Sequence, residues 1–400
     1  MNARATRFPL FDSLRALAAL AIVGTHIHFV LLAHDGPLAR YLARLDVGVF
    51  VFFAISGFLL YRPFVRARLR EDRGPSLAAY GWRRLLRIGP PYWIALTVVA
   101  VWLNMRAVAE PENAVWLYLF GQSYRSGGLA IAGLPQAWSL CVEAAFYVML
   151  PLWALAMRKL PARGERGRLR VELAGLALLA VAGFAFNGLA LANDAVEDFS
   201  RFPLHLTLPC YLTVFAVGMC FAVLSVWYEE RELPRWLRAV DARPGVAWGV
   251  ALLAFLAVSA GIGIDGSDGE QVSDAQYLGR VALYTVVAAG IVVPAVFGDQ
   301  ARGLVRRFLA NRLLLWIGLV SYSLFLWHWA WVIQLNRWDA PAGVPLAIAG
   351  SLVLAAAGYY LVERPAMRLK PLVKARPEPP PREATAEPAP AAPPRVTHAG

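Results

Sequence analysis

Ten apolar runs of about twenty residues each leave this 400-residue chain few folds to choose from. A helix needs roughly 20 mostly apolar residues to cross the hydrocarbon of a bilayer. Candidates fall at 10–32, 46–65, 88–107, 137–157, 171–193, 205–228, 246–263, 278–298, 313–335 and 343–364. In lipid, each backbone N–H and C=O has to be satisfied within the segment, which favours helices for such runs. The fold class expected is therefore an all-α integral membrane protein, a bundle of about ten transmembrane helices. Charged residues make up 16% of the chain, against about 25% in soluble domains. Arg15 interrupts the first run, which argues against a cleavable signal peptide. The stretch 113–124, "NAVWLYLFGQSY", is too short to span and reads as a re-entrant or interfacial piece. Past residue 370 the chain turns Pro-, Ala- and Glu-rich and cannot build a core. The expected division is a membrane domain over 1–370 and a disordered tail over 371–400.

Charge placement sets the expected orientation. With ten spans both termini lie on one side, and 31 of the 39 Lys and Arg fall in the segments of that side. The alternate loops hold only Arg40, Arg44, Arg106, Arg125, Arg201 and Arg337. Positive loops face the cytoplasm, so both termini are expected there, in a cell inner (plasma) membrane. The opposite side carries acidic stretches such as "DGSDGE" at 265–270. The net charge of +12 is thus a topology signal with some attraction to anionic lipid, and no nucleic-acid partner is expected. Cys141, Cys210 and Cys220 sit in apolar runs without metal-ligand spacing, so they read as packing residues and no metal site is expected.

Polar residues inside the spans are costly, and they point to chemistry. Arg15 and His26 are eleven residues apart, three turns plus about 20°, so they share one helix face separated by about 16 Å. Asp12 joins that face, while His28 points elsewhere. Two readings stand: Arg15 snorkels and His26 is a packing residue, or both belong to a polar stripe along a cavity. The fourth span favours the cavity. Gln136, Ser139, Glu143 and Tyr147 form one stripe on an apolar helix. Glu143 and His26 each lie about 9 Å from the outer ends of their spans, so the two are expected to pair. In the ninth span, His328 has Ser321 seven residues earlier on its face. A structural and a catalytic role both stay open for His328, the structural one first.

The stretch 61–93, which joins the second span to the third, holds eight arginines and no lysine. Guanidinium forks suit phosphate oxygens, and Arg84 and Arg87 share a helical face just before the third span. Arginine, ten residues and histidine in the first span resembles the hallmark of the acyltransferase family 3 membrane proteins. "FFAISGFLL" (52–60), "RRLLRIGPPYW" (83–93), "AWSLCVEAAFYVMLP" (137–151), "SYSLFLWHW" (321–329) and "VERPAMRL" (362–369) resemble that family's further motifs, in order, over about residues 8–370. The resemblance implies O-acyl transfer from a cytoplasmic acyl-coenzyme A, acetyl being the expected acyl group. Its acceptor would be a hydroxyl of a carbohydrate, glycolipid or glycosylated natural product. It also implies acyl-coenzyme A as a substrate and no resident cofactor. Some members of that family carry a fused hydrolase-like domain, and with only the Pro- and Ala-rich tail after the tenth run the stand-alone form is expected here.

By that resemblance Arg15 and His26 match the family's functional pair, Arg84 and Arg87 its Arg-x-x-Arg segment, and Glu143 its Trp-Ser-Leu-x-Val-Glu segment. The mechanism expected has Arg15, Arg84 and Arg87 holding the donor, His26 as general base, and Glu143 fixing the His26 tautomer. Asp12, Ser56, Trp138, Ser139 and His328 are candidates for lining the cavity. Ser56 and Gly57 would let a thioester pass close to the backbone. Two other readings remain: a secondary transporter or exporter of a polar metabolite, which would show internal repeats not found here, and a non-catalytic scaffold. Orientation has a direct test. Single cysteines introduced at positions 160, 240 and 305 should react with an impermeant reagent only from the cytoplasmic side, and labelling in intact cells would overturn the assignment.

Overall fold

The computed structural model describes residues 8–32, 38–125, 127–192, 203–260, 273–298, 303–340 and 343–373. Tail residues 374–400 and the acidic stretch at 265–270 lie outside the described residues. Among the described residues there is no β-strand, and the long apolar helices match the run-by-run reading. We number them α1 (Leu10–Leu31), α2 (Ala39–Leu69), α3 (Leu77–Trp102), α4 (Pro135–Lys159), α5 (Gly164–Ala192), α6 (Leu204–Trp227), α7 (Pro244–Ala260), α8 (Asp274–Val296), α9 (Ser321–Arg337) and α10 (Gly343–Leu372). Eight are long enough to cross a membrane alone. The tally reaches ten if α7 is taken with Arg235–Ala242, at an 89° bend, and α9 with Arg312–Leu319, at a 74° bend.

Two boundaries differ from expectation. Helix α3 begins eleven residues before the expected third span, because Ser76 caps it by accepting a hydrogen bond from the Ala79 amide. Arg84 and Arg87 are therefore helical residues within α3, not part of a loop before it. The ninth span is not one helix. It breaks at Val320, whose φ of −91° and ψ of 4° leave the helical path. The short helix before the break packs so closely on α1 that a Cβ on Gly318 would lie 1.8 Å from the Asp12 carbonyl oxygen. The stretch expected to be re-entrant or interfacial forms a short helix, Pro111–Tyr118, and a 3-10 turn, Gln122–Tyr124. Tyr92 and Trp93 of α3 donate to the carbonyls of Leu117 and Tyr118, at 2.9 and 2.8 Å.

Helix α2 runs through the centre of the bundle, and its contact with α6 is backbone on backbone. A Cβ on Gly57 would stand 2.5 Å from the Phe215 carbonyl oxygen, and one on Gly218 would stand 2.1 Å from that of Ala54. Small residues allow such approach where lipid supplies no hydrophobic drive between helices. Gly57 thus serves helix packing, in place of the thioester passage expected of it. Aromatic rings extend the same interface: Phe215 stacks on Phe53 and on Phe146, with centroids 4.7 and 3.9 Å apart.

Several charges outside the cavity are braced in pairs. Arg68 meets Glu172 at 2.9 Å while the Tyr61 hydroxyl donates to the same carboxylate, joining α2 to α5. Arg306 is buried against the carbonyls of Pro294 and Phe297, at 3.1 and 2.8 Å. Arg280, within α8, faces the charge of Asp46, which accepts from the Tyr284 hydroxyl. At the basic ends of α2 and α6, Arg70 donates to Glu230 at 2.6 Å. That bond holds the Glu230 carboxyl below the usual carboxylate range.

The α2–α6 contact has a simple test. Gly218→Ala should lower the thermal midpoint in detergent by an amount equivalent to about 1–3 kcal/mol, because the obstructing atom is backbone. Gly249→Ala in α7, where a Cβ meets nothing within 4 Å, should change little. Equal midpoints for the two variants would contradict the packing described.

Candidate functional site

An open cavity with about 690 Å³ of empty space, its mouth included, runs between α1, α2, α3, α4 and α9. Arg15 and Ile22 line it from α1, Ser56 from α2, and Arg84 and Arg87 from α3. Ser139, Glu143 and Tyr147 line it from α4, and Ser321, Tyr322 and Phe325 from α9. The polar stripe of α4 therefore faces the cavity as its spacing predicts, with Ser139, Glu143 and Tyr147 on successive turns. Gln136 instead turns into the protein, where its amide donates to the carbonyls of Phe325 and Leu326 at 3.0 and 3.2 Å.

The Glu143 carboxylate accepts from Ser56 Oγ at 2.9 Å and from the Tyr147 hydroxyl at 2.7 Å, both on Oε1. Arg15 lies within electrostatic reach of Glu143, Arg87, Glu363 and Asp12. Its Nε atom and that of Arg84 are buried without a hydrogen-bond partner. Arg84 also stands 5.8 Å from the centroid of the Tyr147 ring. Arg87 approaches Glu363 at 3.5 Å, and Glu363 also accepts from Ser323 Oγ at 3.1 Å. Around the cavity three guanidinium groups thus face the carboxylates of Glu143, Glu363 and Asp12, yet the Nε donors of Arg15 and Arg84 stay unused. An anionic ligand fits those unused donors.

The break before α9 shapes this wall. It starts a helix at Ser321, so Ser321, Tyr322 and Phe325 reach the cavity from its first turn and a half. Ser321 Oγ is buried without a partner. Tyr322 donates to the carbonyl of Ile88 at 2.7 Å, in the turn of α3 where Pro90 and Pro91 supply no amide hydrogens.

His26 lies one turn beyond Ile22 on the same face of α1. Its Nδ1 is 2.8 Å from Nε2 of His328, and the edge of Trp329 packs on it with centroids 5.2 Å apart. The expected His26–Glu143 pair is thus corrected. Glu143 is bonded to Ser56 and Tyr147, and His26 is bonded to His328. Equal depth in two helices did not mean contact, because His328 occupies the position that Glu143 was expected to take.

Ser56 and Ser139 line the cavity as expected, whereas three other candidates do not. Asp12 lies against the short helix before α9, Trp138 packs on Tyr211 at 5.4 Å between centroids, and His328 is fully buried behind His26. His28 is buried on the other side of α1. Two participants went unread in the sequence: His328 as the partner of His26, and Glu363 as the partner of Arg87. Depth could have found the first, since His26 stands sixteen residues into its span and His328 fifteen into a parallel one. Glu363, an acidic residue at the end of an otherwise apolar run, was visible but had no assigned partner.

Residues 9–363 match a family model described as an acyltransferase domain. The chain is similar to the peptidoglycan O-acetyltransferase OatA of Listeria monocytogenes, with 24% identity over 90% of this chain and 57% of that protein. It is also similar to the acyltransferase MdmB of Streptomyces mycarofaciens, with 28% identity over 92% of this chain and 94% of that one. The nodulation protein 10 of Rhizobium leguminosarum bv. viciae is 25% identical over 92% of this chain and 95% of its own. The chain therefore spans a little over half the length of the first relative and almost all of the other two. No solved structure matches it.

The role of Glu363 can be checked by stability alone. Glu363→Ala removes the carboxylate partner of Arg87 and the acceptor of Ser323. A loss of about 1–3 kcal/mol is expected, read as a lower thermal midpoint. Glu363→Gln, which keeps an acceptor for Ser323, should lose less. An unchanged midpoint for the alanine variant would remove the brace from the account.

Proposed function

Because the chain belongs to this acyltransferase family, we propose that it is a membrane O-acyltransferase that takes its acyl group from cytoplasmic acyl-coenzyme A. The observation that carries the reading is the cavity itself. Arg15, Arg84 and Arg87 converge on one stretch of it, and the α1 face that supplies Arg15 and Ile22 leads to His26 one turn on. A donor with an anionic nucleotide head and a thin neutral arm suits such a shape. The guanidinium groups take phosphate oxygens, and the arm lies along the wall made by Ser56, Ser139 and Phe325. This donor-side placement goes with both termini in the cytoplasm and a place in the inner (plasma) membrane. Acetyl is the acyl group we propose, in line with the O-acetyltransferase named among the relatives. The acceptor we propose is a hydroxyl of a carbohydrate, glycolipid or glycosylated natural product; a peptidoglycan enzyme among the relatives supports the carbohydrate class.

In this reading His26 takes the proton of the acceptor hydroxyl as its oxygen attacks the thioester carbonyl. The carbon–sulfur bond breaks, the new ester is released, and the departing thiolate receives the proton back from the imidazolium. Glu143, held by Ser56 and Tyr147, keeps Arg15 oriented in the cavity and balances part of its charge. It no longer acts on His26 directly. A transporter reading retains one favourable observation, the break before α9, since discontinuous helices line many transport sites.

A labelled-donor assay separates the two readings. Purified protein in lipid nanodiscs should transfer label from acetyl-coenzyme A to a carbohydrate acceptor, and His26→Ala should abolish turnover while retaining donor binding. Arg84→Ala with Arg87→Ala should weaken donor binding. Lysine at both positions should restore it only in part, because an ammonium does not reproduce the planar fork. Donor affinity unchanged by the double substitution would return these arginines to a topological role.

A further inference from the structure

We propose that His328 is a positioning residue that locks His26 in one tautomer, with hydrogen on Nδ1 and a bare Nε2. This rests on the reading of His26 as the base and assigns the atom that takes the proton. The argument starts one turn earlier in α9. Nδ1 of His328 lies 2.9 Å from the carbonyl oxygen of Leu324. A carbonyl oxygen only accepts, so Nδ1 of His328 carries a hydrogen. In a neutral imidazole the other nitrogen then holds the lone pair, which makes Nε2 of His328 an acceptor. That nitrogen is 2.8 Å from Nδ1 of His26. A bond between two nitrogens needs a single hydrogen, and here only His26 can supply it. His26 Nδ1 is the donor, and its Nε2 keeps the lone pair a general base requires.

The neutral state of His328 follows from its surroundings. Its ring is 0% exposed, and among the described residues neither histidine has a hydrogen bond or ion pair to a carboxylate. A buried imidazolium there would carry a charge without an anionic partner. The anchor of the chain of bonds is also fixed. Gln136 at the start of α4 donates to the carbonyls of Phe325 and Leu326, the two residues that follow Leu324, and so holds that turn of α9 in place. A carboxylate would both orient the base and stabilise its cation, as in a serine-protease triad. A neutral imidazole does the first and adds no charge to the apolar half of the bundle. The sequence order of the relay is Leu324 carbonyl, His328 ring, His26 ring, then acceptor hydroxyl.

The test is nitrogen NMR on the full chain, labelled with ¹⁵N-histidine, in nanodiscs. The sequence has six histidines, and single substitutions of His26 and His328 assign their signals. Both rings are expected as the Nδ1–H form, each with a protonated Nδ1 and an unprotonated Nε2. His328→Gln, which offers an amide oxygen near the former Nε2, should leave the His26 tautomer in place. His328→Ala should release it to a mixture, and Glu143→Gln should not move it. A His26 found as the Nε2–H form, or a tautomer unmoved in His328→Ala, would overturn the proposal. Kinetics then separate it from the reading beneath. His328→Ala should lower kcat by about 10²-fold with donor KM unchanged, and His328→Gln should recover much of the loss. If the tautomers are as expected but His26→Ala still turns over, the lock stands and the base assignment fails.

Discussion

A charge buried in a bilayer must meet a partner or reach water, and this demand organises the whole bundle. Most of the intramembrane polar groups meet it by pairing. Glu172 holds Arg68 and Tyr61, Asp46 answers Arg280 and Tyr284, and Arg306 is wrapped by carbonyls. These sets tie neighbouring helices together. Around the cavity the pairing is incomplete. Arg15 and Arg84 keep buried guanidinium nitrogens without partners, and Ser321 keeps its hydroxyl unbonded. In the cavity such unpartnered groups stand beside open space.

Position within the cavity depends on packing that is itself uncharged. The near-contact of α2 and α6 backbones at Gly57 and Gly218 sets where Ser56 points, and Ser56 in turn holds Glu143. The contact of Gly318 with Asp12 sets where the short helix before α9 ends, and so where Ser321 begins. Glycine is used at both points to bring backbones closer than any side chain would permit. The chemistry-bearing groups are thus placed by residues that take no part in it.

The helical class and the number of apolar runs were legible because the bilayer imposes a length and forbids unpaired backbone. The α4 stripe was legible for the same reason: a helix of fixed pitch puts Ser139, Glu143 and Tyr147 on one face whatever surrounds it. What pitch cannot supply is the neighbour across the interface. Glu143 and His26 lie on the correct faces of their own helices, yet the histidine facing His26 comes from α9. The break at Val320 was equally hidden, since "LVSYS" carries no proline to announce it and the bend arises where the short helix docks on α1. Glu363 shows the limit from the other side. Its place at the end of an apolar run could be seen, but the helix that would bring Arg87 to it could not.

Helices α5 and α10 lie at the rim, with 22% and 17% of their apolar windows buried against 67% for α2. Along such helices lipid is the main neighbour, and lipid tails do not distinguish leucine from valine or phenylalanine. On their lipid-facing sides the main demand is that the run stay apolar, whereas Glu172 of α5, Glu363 of α10 and most of α2 answer to partner helices or to the cavity wall. The identities of 25–28% shared with the two relatives matched over nearly their whole length therefore average over two regimes of constraint. Divergence in this architecture is better measured by a cross-section through α1, α2, α4 and α9 than along the length of the chain.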